Sequence, residues 1–180
     1  MPEQITHEKI QYSFSFFFLF LCFGSRAAII DSSFYGFTIR HQIVVNTPPD
    51  TLFKALVNIG KWWNPEHTFS GSSANLSIQP RANGCFCERL ENGGSVKHMT
   101  VIYYDPPKTL RLQGAIGPLQ SMAVNAIMTF LLMPDGATTR IFVTYTVNGY
   151  SPEGLNKLAT VVDALVGEQI ERLKSYSEGQ

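Results

Sequence analysis

Alternating apolar and polar residues predict that strands make up most of this chain. In the stretch 37–45, Phe37, Ile39 and Ile43 fall on one face and polar residues such as Arg40 on the other, the pattern of a strand with one buried face. Similar stretches, separated by turns rich in Gly, Pro, Asn and Asp, occur at 74–79, 85–90, 95–104, 108–114, 122–133 and 138–149. Short turns between successive strands predict an antiparallel meander.

Two parts of the chain have helical rather than alternating spacing, and the first lies directly after the first strand. Pro48 and Pro49 suit the start of a helix, and the apolar residues that follow predict a short helix that closes near Gly60. Trp62 and Trp63 come next and are expected in a second short helix or turn. Both indoles are therefore expected near the rim of the sheet.

The longer helix is predicted near the C-terminal end. Ser151 suits its N-cap, Pro152 its first position, and apolar residues recur at helical spacing up to about Tyr176. A sheet with one apolar face needs a cover, and this helix is the one predicted element long enough to provide it. We therefore expect an α+β fold: a curved antiparallel sheet of about seven strands wrapped on a long C-terminal helix, with two short helices after the first strand.

The N-terminal part has a different pattern. Residues 14–24 read FSFFFLFLCFG, an uncharged apolar run that is shorter than a membrane-spanning helix requires. Lys9 precedes the run, and the small residues Ser25 and Ala27 follow it at positions that permit cleavage after Ala27. This arrangement is typical of a signal peptide.

We therefore expect a signal peptide at 1–27, a lead-in at 28–36, a single domain at 37–177 and a tail at 178–180. The cleaved protein would be exported, to the periplasm or outside the cell, with no stable membrane span. An uncleaved membrane anchor is one alternative. A mis-set start or a buried strand, in a cytoplasmic protein, is the other.

Composition excludes some functions. The chain has 180 residues with 14 basic and 14 acidic side chains, and this zero net charge argues against a general nucleic-acid binder, which needs a basic surface. The sequence has no phosphate-binding glycine loop, dinucleotide fingerprint or serine-nucleophile motif, so no cofactor is expected. The oligomeric state is left open.

Several strings resemble the START-like, birch-pollen-allergen-like superfamily (SRPBCC), whose members have the helix-grip fold. The strings are WWNPEHT at 62–68, GCFCE at 84–88, GGSVKH at 93–98, LRLQG at 110–114, GPLQ at 117–120 and VD at 162–163. The resemblance covers nearly all of 37–177 and is closer to bacterial members labelled polyketide-cyclase-like or ATPase-activator-like. It implies the fold, but this scaffold hosts lipid carriers, cyclases, hydroxylase domains and chaperone co-factors, so it does not select an activity.

Glu88 and His98 are the candidate catalytic residues. Strand alternation turns Glu88 inward, and His98 lies on the next strand, which can pair in two registers. A three-residue loop sets Glu88 opposite His98, so that a carboxylate and an imidazole share the cavity as an acid–base pair or as a buried polar pair that fixes the sheet. A two-residue loop at Asn92-Gly93 instead sets Glu88 opposite Lys97 and Cys87 opposite His98.

The second register would group Cys85, Cys87 and His98 on one face. Thiolates and imidazole are zinc ligands, but no fourth ligand is evident and the spacing is not that of a standard zinc site, so no metal is expected. Cysteines two apart on a strand are also too far apart to bridge without a bend. We therefore expect Cys85 and Cys87 not to be bonded to each other.

Five further positions complete the candidate site or its surroundings. Trp62 and Trp63 can stack on a flat ligand or close a pocket, with core packing as the alternative for one of them, and His67 can donate a hydrogen bond there. Tyr145 shares the inward face of its strand, so its hydroxyl needs a partner. Gln113 begins a polar bend that can act as a lid or be a plain hairpin.

The function predicted from these features is binding of a small hydrophobic or aromatic molecule between the sheet and the C-terminal helix. Trp62, Trp63, His67, Gln113 and Tyr145, with Glu88 and His98, are the expected ligand contacts. The first alternative is a cyclase- or isomerase-type enzyme in which Glu88 and His98 act as the acid–base pair and Tyr145 or His67 orients a carbonyl. The second is a protein-interaction module that uses the exposed sheet face or the final helix.

Overall fold

A computed structural model describes residues 26–180, which form an eight-stranded antiparallel sheet with two α-helices packed against it. The strands are β1 (Arg26–Ser33), β2 (Gly36–Val45), β3 (Leu76–Ile78), β4 (Cys85–Arg89), β5 (Ser95–Asp105), β6 (Thr109–Gly114), β7 (Val124–Asp135) and β8 (Thr138–Gly149). The helices are α1 (Pro49–Val57) and α2 (Ala159–Glu178). Single 3-10 turns at Ile59–Lys61, Pro65–His67 and Ser73–Asn75 connect α1 to β3.

The strand order is β1-β2-β8-β7-β6-β5-β4-β3. Strands β3 to β8 form the predicted meander, and β2 pairs with β8, which brings the two ends of the domain together. Helix α2 follows β8 and packs on β1 and β2. The predicted helix-grip architecture is confirmed.

One strand was missed by the sequence pattern. Residues 28–36, expected as a lead-in, belong largely to β1, which runs antiparallel to β2 through a turn at Phe34 and Tyr35. Ile29 and Ile30 are both exposed, so this edge strand lacks the alternation by which strands are recognised. The predicted signal peptide lies outside the described residues, apart from Arg26 and Ala27 at the start of β1.

The start of the long helix also differs from the prediction. Ser151 and Pro152 do not begin a helix, because Gly154 adopts a φ of 89° and interrupts helical geometry. A 3-10 turn at Leu155–Leu158 leads into α2, and the Leu155 N–H donates to the Phe34 carbonyl 2.8 Å away. This hydrogen bond ties the entry of the helix to the β1–β2 turn.

Helix α2 is attached to β2 by a polar contact as well as by its apolar face. His41 of β2 is buried, and its Nε2 lies 2.8 Å from Oδ1 of Asp163 on α2. Gly167 leaves room for the imidazole, since a Cβ at this position would lie 2.9 Å from Cε1 of His41. A small residue here lets helix and strand approach closely.

The hydrophobic core lies between the sheet and the two helices and includes inward-facing residues of β2 and β4 to β8. The face of α2 that contributes to it contains Val162, Val166, Ile170 and Leu173. Within residues 26–180, no helix combines the length and apolar character needed to cross a membrane.

Two neighbouring valines test the buried face of α2. Val162 is 2% exposed and Val161 is 55% exposed. We expect Val162→Ala to lower the free energy of unfolding by about 2 kcal/mol, because it removes buried methyl groups. The matched Val161→Ala should change it by less than about 0.5 kcal/mol. Urea denaturation measures both, and equal losses would contradict the orientation of the helix.

Candidate functional site

The pairing of β4 with β5 follows neither of the two predicted registers. Glu88 pairs with Val96, and Cys87 pairs with Lys97. The Leu90 N–H donates to the Gly94 carbonyl, so these two residues face each other and the loop between them is 91–93. Turn residues at this site indicated a hairpin but not the residue at which its loop begins.

A β-bulge follows directly in the ladder. Phe86 pairs with Met99 although its neighbour Cys87 pairs with Lys97, so His98 has no partner across the strand. His98 and Met99 are consecutive, yet both are buried. The bulge therefore lets β5 turn a histidine and the following core residue toward the same side.

Glu88 and His98 meet across this hairpin. His98 lies two positions beyond Val96, the partner of Glu88, and diagonal neighbours of this kind are within reach of long side chains. Nε2 of His98 lies 2.9 Å from Oε2 of Glu88, and the Ser70 N–H donates to Oε1. The Glu88 side chain has no exposed surface. The contact expected from the first register is thus present, although the register itself is wrong.

The surroundings set the charges of this pair. Burial acts to raise the pKa of Glu88, but hydrogen bonds from Ser70, the Phe69 backbone and His98 together hold the pKa below its usual value of 4.5. Burial lowers the pKa of His98 below 6.5 and outweighs the attraction of the carboxylate. At neutral pH the pair is therefore a carboxylate beside a neutral imidazole.

His98 opens onto a cavity of about 390 Å³. Segments 63–69 and 116–121, strands β4 and β5, and helix α2 surround it. Its apolar wall is formed by Trp63, Phe69, Phe86, Ile116 and Leu165. His67 and His98 are the imidazoles in the lining, so an apolar space carries a small number of polar groups, the usual character of a ligand site.

Side chains of α2 hold the segment that carries Trp63 and His67. The Asn64 N–H donates to Oε1 of Gln169 at 2.8 Å, and Nε2 of the same amide lies 3.0 Å from Nδ1 of His67. Because Oε1 accepts from a backbone N–H, the amide nitrogen must donate to His67. Arg172 adds a hydrogen bond from Nε to the Trp62 carbonyl at 2.8 Å.

Three of the predicted ligand contacts line the cavity: Trp63, His67 and His98. Glu88 lies behind His98 and contacts it. Trp62 is instead buried, and its Nε1–H donates to the Ala55 carbonyl at 3.0 Å. The core-packing alternative for one tryptophan therefore describes Trp62.

Gln113 and Tyr145 lie away from the cavity lining. Nε2 of Gln113 donates to Oδ1 of Asn125 across β6 and β7 in an exposed position. The Tyr145 hydroxyl is completely buried and accepts from the Ile116 N–H at 3.3 Å. Burial raises the pKa of this phenol above its usual value. Tyr145 thus supports the cavity wall through Ile116.

Sequence reasoning did not identify Phe69 and Leu165 as lining residues. Phe69 follows His67 in an irregular segment with no periodicity, and it is 58% exposed. Leu165 has the ordinary helical spacing of an apolar residue on the buried side of α2. Neither position carries a signal in the sequence that separates cavity from core.

The structure contradicts the expectation that the two cysteines are not bonded to each other. Cys85 and Cys87 form a disulfide, with Cα atoms 5.3 Å apart. The bend that such a bridge needs is present, because this distance is shorter than the roughly 6.6 Å between residues two apart in an extended strand. The sulfurs are on the face of β4 opposite Glu88, and residues 26–180 contain no cluster of three potential metal ligands.

Comparisons with known proteins identify the fold. No protein-family model and no curated protein matches the chain. The solved structures of Mll3558 from Rhizobium loti, CalU16 from Micromonospora echinospora and the allergen Ara h 8.0201 are similar to it, with 22%, 13% and 15% identity and TM-scores of 0.58, 0.55 and 0.57. The matches cover 78%, 86% and 81% of this chain, and 96%, 84% and 99% of those chains. The protein thus has the START-like helix-grip fold.

Gly114 tests the bulge. Its φ is +141°, and a Cβ there would overlap the carbonyl oxygen of His98. We expect Gly114→Ala to lower the free energy of unfolding by about 3 kcal/mol through backbone strain and displacement of the bulge. Gly136→Ala is the control, since its φ is +63° but no atom lies near the added Cβ. The control should lower the free energy of unfolding by about 1 kcal/mol. Urea denaturation measures both variants, and equal losses of stability would argue against the close approach of β6 to His98.

Acidification should weaken the fold. Because folding lowers the pKa of His98, the unfolded chain takes up this proton first, and stability falls as pH drops below 6.5 toward the folded value. The lowered pKa of Glu88 gives a contribution that is present above pH 4.5 and lost as pH falls through the folded value. Urea unfolding across this range should show a smaller dependence in His98→Gln than in the wild type. The same pH slope above 4.5 in both proteins would contradict this origin.

Proposed function

We propose that this protein binds a small hydrophobic or aromatic molecule in the cavity between the sheet and α2. The observation that carries the proposal is an apolar space of about 390 Å³ with a buried Glu88–His98 pair at its wall. This volume lies in the range of small-molecule sites, which combine apolar walls with a few fixed polar groups. A flat molecule with one polar substituent fits this chemistry best.

The arrangement of rings supports an aromatic ligand. The Phe86 ring centroid lies 5.0 Å from that of His98 and 5.8 Å from that of Trp63. Phe69 stacks on His98, with ring centroids 5.8 Å apart and an interplanar angle of 29°. Aromatic faces and edges of this kind favour contact with another ring system.

The fold supports the same class of function. A curved sheet that grips a helix leaves space between the two layers, and the START-like scaffold that this chain resembles hosts lipid carriers and cyclases. CalU16 and Ara h 8.0201 share the scaffold at 13% and 15% identity. Identity this low supports the architecture, while the ligand class is argued from the cavity itself.

A second candidate function is cyclase- or isomerase-type catalysis in the same cavity. It is favoured by the 2.9 Å contact between a carboxylate and an imidazole at the cavity wall, since such a pair can move a proton to or from a bound molecule. Tyr145 lies outside the cavity lining, so His67 is the one of these two residues that faces the cavity and can orient a carbonyl. Turnover of an enolisable aromatic ketone would distinguish this role from simple binding.

Filling the cavity tests the proposed binding. Leu165 faces the cavity from α2, and Val161 lies on the exposed side of the same helix. The fluorescent probe 1-anilinonaphthalene-8-sulfonate should bind the wild-type chain, and Leu165→Trp should weaken binding about tenfold or more by occupying the space. Val161→Trp is the matched control and should bind as the wild type does. No saturable binding by the wild type, or equal affinity in all three proteins, would contradict the proposal.

A further inference from the structure

The two nitrogens of the His98 imidazole have different roles. Nε2 lies 2.9 Å from Oε2 of Glu88, and the other carboxylate oxygen accepts from the Ser70 N–H. These hydrogen bonds lower the pKa of Glu88, which is ionised at neutral pH and can only accept. Nε2 must therefore carry a proton and donate it to Glu88.

Nδ1 is consequently left with a free lone pair. Burial lowers the pKa of His98, so the imidazole is neutral at neutral pH and carries a single N–H, already placed on Nε2. Nothing in residues 26–180 donates a hydrogen bond to Nδ1. The fully buried side-chain atoms without a hydrogen bond in this range belong to His41 and Asp163, so Nδ1 retains accessible surface.

His98 is 7% exposed and is part of the cavity lining, where Phe69 and Phe86 pack against its ring. Because Nε2 is turned toward the buried Glu88, we infer that the accessible surface of Nδ1 faces the cavity. An apolar ligand that covered Nδ1 without donating to it would remove its contact with water and leave a buried acceptor unpaired, which is costly. The cavity therefore discriminates among flat molecules by what they present to Nδ1.

We propose that the ligand or substrate of this cavity is an aromatic molecule with a phenol or enol hydroxyl, and that this hydroxyl donates a hydrogen bond to Nδ1 of His98. The proposal rests on the proposed binding function and adds the chemical class of the molecule bound. Glu88 is a positioning residue in this arrangement, because its carboxylate determines which nitrogen of His98 carries the proton. The rings of Phe69 and Phe86 pack beside the aromatic part of the ligand.

Glu88→Gln makes the role of the carboxylate testable with little change in shape. The amide oxygen of the variant must accept from the Ser70 N–H, so the amide nitrogen faces Nε2 of His98 as a donor. Nε2 then has to accept, and the proton of the neutral ring moves to Nδ1. The variant therefore presents a donor to the cavity where the wild type presents an acceptor.

The binding experiment compares 2-naphthol with 2-methoxynaphthalene, which has a similar shape but no hydroxyl proton. Calorimetry on the full chain should show that the wild type prefers 2-naphthol by roughly tenfold. Glu88→Gln should lose this preference. His67→Phe is the control at the same cavity: its absolute affinities can change, but the preference should remain.

Nitrogen-15 NMR of the imidazoles provides an independent readout, and its wild-type measurements do not depend on any variant being well folded. In the wild type, Nδ1 of His98 should have the shift of a nitrogen without a proton and Nε2 that of an N–H. Addition of 2-naphthol should move the Nδ1 resonance, and 2-methoxynaphthalene should not move it in the same direction. In Glu88→Gln the two assignments should be exchanged.

The outcomes separate the two proposals. Equal affinity of the wild type for both naphthalenes, retention of the preference in Glu88→Gln, or a protonated Nδ1 in the wild type would overturn the assignment of the hydroxyl and leave cavity binding standing. Failure of 1-anilinonaphthalene-8-sulfonate and both naphthalenes to bind the wild type would overturn cavity binding and the inference together.

Discussion

The candidate site depends on a one-residue bulge in β5. In a regular strand successive side chains point to opposite faces, so the core can receive either His98 or the apolar residues at 99 and 101, but not both. All three are buried, and the bulge at His98 makes this possible by shifting the alternation within the strand. Gly114 on the neighbouring strand lacks the Cβ that would meet the His98 carbonyl. Strand β5 therefore contributes both core residues and the candidate site residue His98.

The buried carboxylate of Glu88 loses its contact with water, and the surrounding hydrogen bonds offset this loss. A buried carboxylate is stable when its oxygens are paired, and the donors to Glu88 include the Ser70 N–H and the His98 imidazole. The same contacts hold the ring of His98 at the cavity wall. A similar division of roles holds on the opposite wall, where Gln169 of α2 orients His67 and the helix carries Leu165 into the lining. Helix and sheet therefore both position polar groups around an apolar space.

Much of the fold could be predicted from local pattern, but the contacts within the site could not. Alternation of apolar and polar residues predicted most strands and the inward orientation of Glu88, and helical spacing predicted most of α2. The exposed isoleucines of β1 gave no such signal, and Gly154 displaced the start of α2. Glu88 and His98 were correctly associated, but turn residues do not encode where the loop 91–93 begins or that a bulge follows it, and both change the register. Trp62 and Trp63 are identical neighbours in sequence, and only packing separates the core indole from the cavity indole.

The most direct test of this account is a crystal structure of the protein soaked with 2-naphthol. The account predicts the naphthalene ring between Phe69, Phe86 and α2, with its hydroxyl oxygen within hydrogen-bond distance of Nδ1 of His98 and Nε2 still bonded to Glu88. A cavity filled by side chains, or a ligand bound elsewhere with Glu88 and His98 apart, would contradict it.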